Sequence, residues 1–284
     1  MTRLALPWGL SSPAALFMLC LLGVPVVMLL GLSLNPFVPG LGVGEGYTLA
    51  HYADLASDDY FHAIFLRTLS LSCWVTLGCL LIGVPEAWIL ARLSPRWRAV
   101  SMVIVLGPLL ISVIVRTLGW AVLLGSEGLL NRGLLAVGLI ESPVRMMYTF
   151  TAMTVALIHV LVPFMVLSVW ASLQRIDPAT LQAAASLGAS SLTVFRRIVL
   201  PQIVPGMLSG VLIVFAMAAS AFATPAIIGG RRLKVVPTTI YDEFLGNLNW
   251  PLGAALAAVL LVIVLAVTLG TNRFVEWRWR RVFQ

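Results

Sequence analysis

DPATLQAAASLGASSLTVFRRIVLP, residues 177–201, is a structured polar segment in a chain that is otherwise mostly apolar. Asp177 suits a helix N-cap, because its carboxylate can accept from the unpaired N–H groups of a first turn. Pro178 suits the first helical position, where a missing N–H is no loss. The small residues Ala183, Ala184 and Ala185 carry that helix towards Gly188, which can adopt the left-handed conformation that closes a helix. Ser190 or Ser191 can then cap a second helix through Phe195–Ile198, which reaches Pro201. The pattern predicts helix, tight turn, helix. Its alanine-rich surface is one that another protein can approach closely.

The rest of the chain explains why such a loop is unusual. Sixty per cent of the 284 residues are hydrophobic and 10% are charged, and the mean hydropathy is +1.02. These values exclude an ordinary soluble domain. A helix rises about 1.5 Å per residue, so roughly 20 apolar residues cross a hydrocarbon core about 30 Å thick. Six stretches reach that length: 13–34, 64–91, 99–124, 148–172, 204–223 and 251–271. The expectation is an all-α integral membrane protein of six transmembrane helices, with 1–284 a single domain and 173–203 a polar loop between two of them. Pro85-Glu86, near the end of the second stretch, suggests a kink or an early exit. The first stretch is too long for a signal-peptide core and reads as a retained helix. Cys20, Cys73 and Cys79 fall within the stretches and read as buried packing residues, not as a disulfide framework or metal site.

Charge placement gives an orientation. With the N-terminus inside, one side carries Arg3, Arg92, Arg96, Arg98, Arg175, Arg196, Arg197, Arg273, Arg278, Arg280 and Arg281 against only Asp177 and Glu276. The other carries Arg132, Arg145, Arg231, Arg232 and Lys234 against Glu45, Asp54, Asp58, Asp59, Glu127, Glu141, Asp242 and Glu243. Cytoplasmic loops are rich in Lys and Arg, so both termini and the 177–201 loop are expected in the cytoplasm. The net charge of +7 is then a topology signal and gives no reason to invoke nucleic acid.

Motifs that are absent narrow the function. There is no GxxxxGK[ST] phosphate loop, so ATP hydrolysis is not expected on this chain. HExxH, GxSxG and Cys/His metal spacings are also missing, and His51, His62 and His159 are far apart. A membrane enzyme needs converging titratable groups, and few are available. An ion-coupled secondary transporter should show an internal repeat with broken helices and a midplane acid, and no clear repeat is present.

Ala183-Ala184-x3-Gly188-x9-Ile198-x-Leu200-Pro201 resembles the EAA loop of ABC-importer permeases, the segment that docks on a transport ATPase. Further blocks resemble the spermidine/putrescine-type permeases, in the same order. They are Thr68-Leu69 with Gly83-Val84-Pro85-Glu86-Ala87-Trp88, Arg116–Trp120, Gly128–Asn131, Leu161–Met165, Phe222–Gly230 and Asn249–Ala255. The resemblance implies a type I, MetI-like fold in a bacterial inner membrane, forming half of a translocation pathway. It also implies a second permease subunit paired as a heterodimer, two ATPase subunits holding ATP and Mg, and a periplasmic binding protein that delivers a small solute. No cofactor or metal is expected on this chain. A polyamine is the first expectation for the solute; another amine, an opine, a phosphonate or a carboxylated solute is the alternative.

Where the family motif begins with Glu, this chain has Gln182. An amide keeps the hydrogen bonds but loses the charge, a change of about 1 kcal/mol at a partly exposed contact. Docking is therefore expected to survive with altered strength. The other reading of the loop, an amphipathic hairpin on lipid, is disfavoured by its weak amphipathicity and by a lack of bulky apolar anchors.

Ionisable residues inside spans are costly and by default point to function. Glu86 can cap a broken helix or face the inner vestibule. Arg116 shares a helix face with Trp120 and can line the pathway or pair with an acid. His159, one turn before Pro163, suits a ligand or an interhelical hydrogen bond. Arg67 can simply snorkel. In the outer loop 224–250, Arg231, Arg232 and Lys234 can meet a binding protein, and Tyr241, Asp242 and Glu243 can meet either that protein or an arriving cation. Trp277-Arg278-Trp279-Arg280-Arg281 reads as an interfacial belt with basic anchors.

Overall fold

The computed structural model describes residues 5–278, with side chains from Ser12 onward. Arg3, Trp279, Arg280 and Arg281 lie outside the described residues. The chain opens with α1 (Ala5–Leu32), followed by the antiparallel hairpin β1 (Phe37–Val38) and β2 (Gly42–Val43), then α2 (Ala50–Ser57). The helices α3 (Asp59–Arg92), α4 (Pro95–Leu110), α5 (Val113–Leu124), α6 (Leu129–Ala136) and α7 (Phe150–Leu173) follow. The polar loop holds α8 (Pro178–Ser186) and α9 (Ser191–Val194), and the chain continues through α10 (Leu200–Ala219), α11 (Val236–Tyr241) and α12 (Trp250–Arg278). Among the described residues, six helical stretches are long and apolar enough to cross a membrane: Ser12–Leu32, Asp59–Arg92, Val113–Ala136, Phe150–Leu173, Ser191–Ala219 and Trp250–Arg278. This is an all-α multi-pass membrane architecture.

Three local expectations are corrected. The stretch 99–124 is two helices, α4 and α5, separated at Ile111-Ser112, where the backbone is extended (ψ 137° and 134°). Pro108 in the last turn of α4 removes a helical donor, and Ser112 begins a new helix. Pro85 neither ends α3 nor lets the chain leave early, because the helix runs unbroken to Arg92. Prolines are tolerated in spans where neighbouring groups restore the lost bonds. Pro201 does not stop the second loop helix either. A π-helical turn, Phe195–Val199, joins α9 to α10, and the Leu200 N–H reaches back five residues to the Phe195 carbonyl. The wider turn eases the clash that the Pro201 ring would make with the carbonyl four residues before it. Helix therefore runs from Ser191 and ends at Ala219, so the predicted 204–223 starts too late and overruns Ser220.

The chain forms two compact units, one comprising residues up to Ala63 with Thr239–Val262, the other Ile64–Thr238 with residues from Ile263 onward. In the larger unit α7 is central, and α4, α5 and α10 pack on it. Lipid tails are as apolar as leucine, so helix association depends on close packing. Glycines supply it here. A β-carbon on Gly206 of α10 would strike the Ser172 side chain and come within 2.6 Å of the Ser168 carbonyl of α7. On α3, Gly83 lies against Met165 in the same way. The α3 hydroxyls Thr68, Ser72 and Thr76 are buried, and each donates to the carbonyl four residues earlier (2.7–2.8 Å). Thr68 Oγ1 also accepts from the Val236 N–H at 2.9 Å.

In the smaller unit, the end of α1 is tied to α2 by the Ser33 and Tyr52 hydroxyls at 2.6 Å and by His51 Nε2 against the Asn35 carbonyl at 3.1 Å. Another π-helical turn, Asp242–Gly246, precedes α12, whose first turn is capped by the Asn249 side chain accepting from the Leu252 N–H. Gly253 packs on the Phe244 ring. Cys79 is buried, but Cys20 and Cys73 are exposed on helix surfaces, so packing accounts for only one of the three thiols.

Candidate docking loop and intramembrane polar cluster

α8 is built as its sequence dictates. Asp177 Oδ1 accepts from the Ala179 N–H at 2.9 Å, and Pro178 occupies the first turn. At the other end Gly188 takes φ +72°. Its N–H bonds to the Ala185 carbonyl at 3.0 Å, and the Ala189 N–H bonds to the Ala184 carbonyl at 3.1 Å. This pair of bonds is the Schellman closure. Ser190, not Ser191, caps α9 by accepting from the Thr193 N–H at 3.3 Å.

The exposed face carries Gln182, Ala183 and Gly188, and no atom lies within 4 Å of where a Gly188 β-carbon would stand. Ala184 is different. It is 7% exposed and packs into the core, so it supports the helix instead of offering a surface. Ile198, Leu200 and Pro201 are half-buried along the continuous helix. Bulky apolar groups do project from the loop, contrary to the sequence reading: Leu187 is 87% exposed and Leu192 65%. Both lie within two residues of a cap, where no periodicity marks them.

Sequence reasoning also missed what holds the loop in place. The Phe195 ring, first in the π turn, lies 5.4 Å from that of Trp88 on α3. The Arg92 guanidinium carbon stands over the Trp88 ring at 4.1 Å. Arg98 donates to the carbonyls of Leu90, Ala91 and Leu93 at 3.0–3.2 Å, capping the end of α3 from the first turn of α4.

Within the spans, the structure gathers Arg116, Trp120 and His159. Trp120 Nε1 donates to His159 Nδ1 at 3.2 Å, with ring centroids 5.7 Å apart in an edge-on arrangement. Arg116 stands one turn before Trp120 on α5. Its Nη2 donates to the Ile111 carbonyl at 3.4 Å, at the break between α4 and α5, while Nε and Nη1 are buried without a hydrogen-bond partner among the described residues. A cation suits the carbonyl end of a helix. Beside it, Thr117 and Thr224 share a hydroxyl contact at 3.2 Å.

The other candidates are not part of that cluster. Glu86 is half-buried on unbroken α3, so it caps no helix end. Tyr241, Asp242 and Glu243 belong to the smaller unit, where Glu243 Oε1 accepts from Asn247 Nδ2 at 3.0 Å. Arg67 does more than snorkel, since its Nη1 donates to the Lys234 carbonyl at 2.7 Å. Asn131 was quoted in the sequence only as part of a block. It is fully buried and joins the Gly125 turn to Val144 by three hydrogen bonds of 2.9–3.0 Å. That brace shapes a cavity of about 560 Å³ lined in part by Ser126, Arg145, Met147 and Tyr148.

No family model matches the chain. The spermidine/putrescine transport system permease protein PotB of Escherichia coli K12 is 33% identical over 259 residues, covering 91% of this chain and 92% of its own. The chain belongs to the spermidine/putrescine-type ABC transporter permease family. The protein of the same description from Salmonella typhimurium SL1344 is 32% identical over 259 residues, covering 91% of this permease and 88% of its own length. Among solved structures, a bacterial alginate ABC transporter in complex with an alginate pentasaccharide-bound periplasmic protein aligns with a TM-score of 0.80 and 20% identity. It covers 95% of the permease and 94% of the matched chain, a likeness that supports the fold alone.

Proposed function

We propose that this permease forms half of the translocation pathway of an ATP-driven inner-membrane importer for polyamines, spermidine and putrescine first. The observation that carries the proposal is a relationship to a spermidine/putrescine permease at 33% identity that spans 91% of the chain. Its partners are a second, unlike permease, two ATPase subunits that bind and hydrolyse ATP with Mg, and a periplasmic binding protein. The binding protein is supported by the related alginate importer, whose structure includes one. Hydrolysis is assigned to the ATPases because this sequence lacks a phosphate-binding loop.

The 177–201 loop lies on the cytoplasmic side with both termini, and α8 seats in the ATPase. The exposed Gln182, Ala183 and Gly188, with Leu187 at the apex, form the contact, and Ala184 backs it from the core. The binding protein delivers the solute, closure of the ATPase pair moves the loop, and the helices follow. Glu86, Arg116, Trp120, His159, Tyr241, Asp242 and Glu243 remain the candidates for solute contact. One observation favours a second reading. Two buried Arg116 donors have no partner among the described residues, and a solute bearing an acid group alongside its amine would complement them.

The test is ATP hydrolysis by the purified complex in lipid, with and without its binding protein, across a panel of amines and amino acids. Stimulation by spermidine- or putrescine-loaded binding protein is the expected result. Stimulation only by an acid-bearing solute would move the assignment to the second reading. A chain that purifies without any ATPase would refute the importer.

A further inference from the structure

The docking loop is joined covalently to α7 before it and to α10 after it, and neither connection reaches α3. A different link does. Phe195 opens the π turn at the loop's exit, and its ring lies 5.4 Å from Trp88 with 51° between the planes. Trp88 stands four residues before the end of α3, and Arg92, at that end, holds its guanidinium over the same ring. Loop and helix end share one apolar cluster containing Leu90, Ala184, Val194 and Val199. Beyond Trp88 the end of α3 is not free, since Arg98 of α4 donates to three of its carbonyls. A displacement imposed on Trp88 is thus imposed on the end of α3 and the start of α4 together. α4 in turn ends at the Ile111-Ser112 break, beside buried Arg116.

We propose that Trp88 is a positioning residue of the transport cycle, transmitting movement of the docking loop from Phe195 to α3 and α4. An aromatic ring has few torsions and cannot be compressed, and packed interiors transmit displacement where loose ones absorb it. Arg92, one turn along the same helix, keeps the ring in place by a cation–π contact. Truncating Trp88 would leave a gap into which Phe195 can move without pushing α3. The loop would still seat in the ATPase, because its exposed face does not include Trp88. This proposal rests on the docking reading given above.

The experiment compares wild type with Trp88→Ala, Trp88→Phe, Phe195→Ala and the double alanine variant. Each is purified as the full complex with its ATPase subunits and reconstituted in lipid vesicles. The readout is the ratio of ATP hydrolysis with and without the cognate binding protein, used as purified with the solute it retains. Trp88→Ala and Phe195→Ala should each lower that ratio about tenfold while basal hydrolysis stays within about twofold of wild type. The double variant should be no worse than either single change, because both break one link. Trp88→Phe, which keeps a ring, should retain the wild-type ratio. A merely structural role would reduce the yield of complex and basal hydrolysis in proportion, leaving the ratio unmoved. An unchanged ratio in Trp88→Ala, or an equal loss in Trp88→Phe, overturns the proposal alone. Absence of ATPase from the wild-type complex overturns the docking reading and the proposal with it.

Discussion

Two glycines show how one residue type does different work at the scale of single atoms. Gly188 has φ +72°, and among the described residues a β-carbon there would have open space around it. The cost of a β-carbon is backbone strain of roughly 1 kcal/mol in the left-handed region. Gly206 has no such backbone constraint but is enclosed by Ser168 and Ser172 of α7. Replacing it forces α10 away from α7, at a cost of about 1–3 kcal/mol for a large side chain. Gly188→Trp should therefore yield a stable permease whose ATP hydrolysis no longer drives uptake, while Gly206→Leu should lower the melting temperature in detergent and the amount of folded protein. Wild-type coupling in Gly188→Trp, measured as solute taken up per ATP hydrolysed, would remove Gly188 from the contact surface. Gly188 was legible in the sequence because an alanine run needs a left-handed residue to stop. Gly206 was not, since its meaning depends on which helix lies opposite.

At the scale of elements, caps could be read and interruptions could not. Asp177, Pro178 and Gly188 each act locally, within a turn of their own position, and the structure has them where spacing put them. Pro85, Pro108 and Pro201 look alike in sequence yet do three things: α3 continues through the first, α4 ends just after the second, and a π turn precedes the third. What decides among them is the packing around each helix, which no short window contains. The same limit hid the Trp88–Phe195 pair, whose members are far apart in the chain. A prediction follows for the π turn. Pro201→Ala restores a donor that can bond four residues back, removing the reason for the wide turn. The helix should revert to α register, which rotates α9 by about 100° relative to α10 and takes Phe195 off Trp88. Coupling should fall although the helix itself is no less stable. Bridging of Trp88→Cys to Phe195→Cys by a thiol-reactive cross-linker long enough to replace the two rings, lost on adding Pro201→Ala, reports the rotation. A bridge that still forms would mean that the π turn is held by packing and not by the proline.

At the scale of the whole molecule, orientation rests on charge, because helices that cross a bilayer do so equally well either way round. Eleven cations against two acids on one side, and five against eight on the other, give the asymmetry. The structure alters which residues are helical between 95 and 136 without moving Arg92, Arg96 and Arg98 from the same end of α3 and α4. The positive-inside bias is strongest for short loops close to span ends. The loop between the spans Asp59–Arg92 and Val113–Ala136 is short, and Arg92, Arg96 and Arg98 stand at the end of α3 where it begins, so they carry most weight. The proposed orientation would place Leu187 inside and Arg232 outside, and both positions are exposed. Single cysteines at those two sites, in a chain whose Cys20, Cys73 and Cys79 are serine, separate the two orientations. A membrane-impermeant maleimide added to intact spheroplasts should label Arg232→Cys at once and Leu187→Cys only after lysis. The reverse order would invert the molecule, put the 177–201 loop on the side without ATP, and leave the ATPase nothing on this chain to drive.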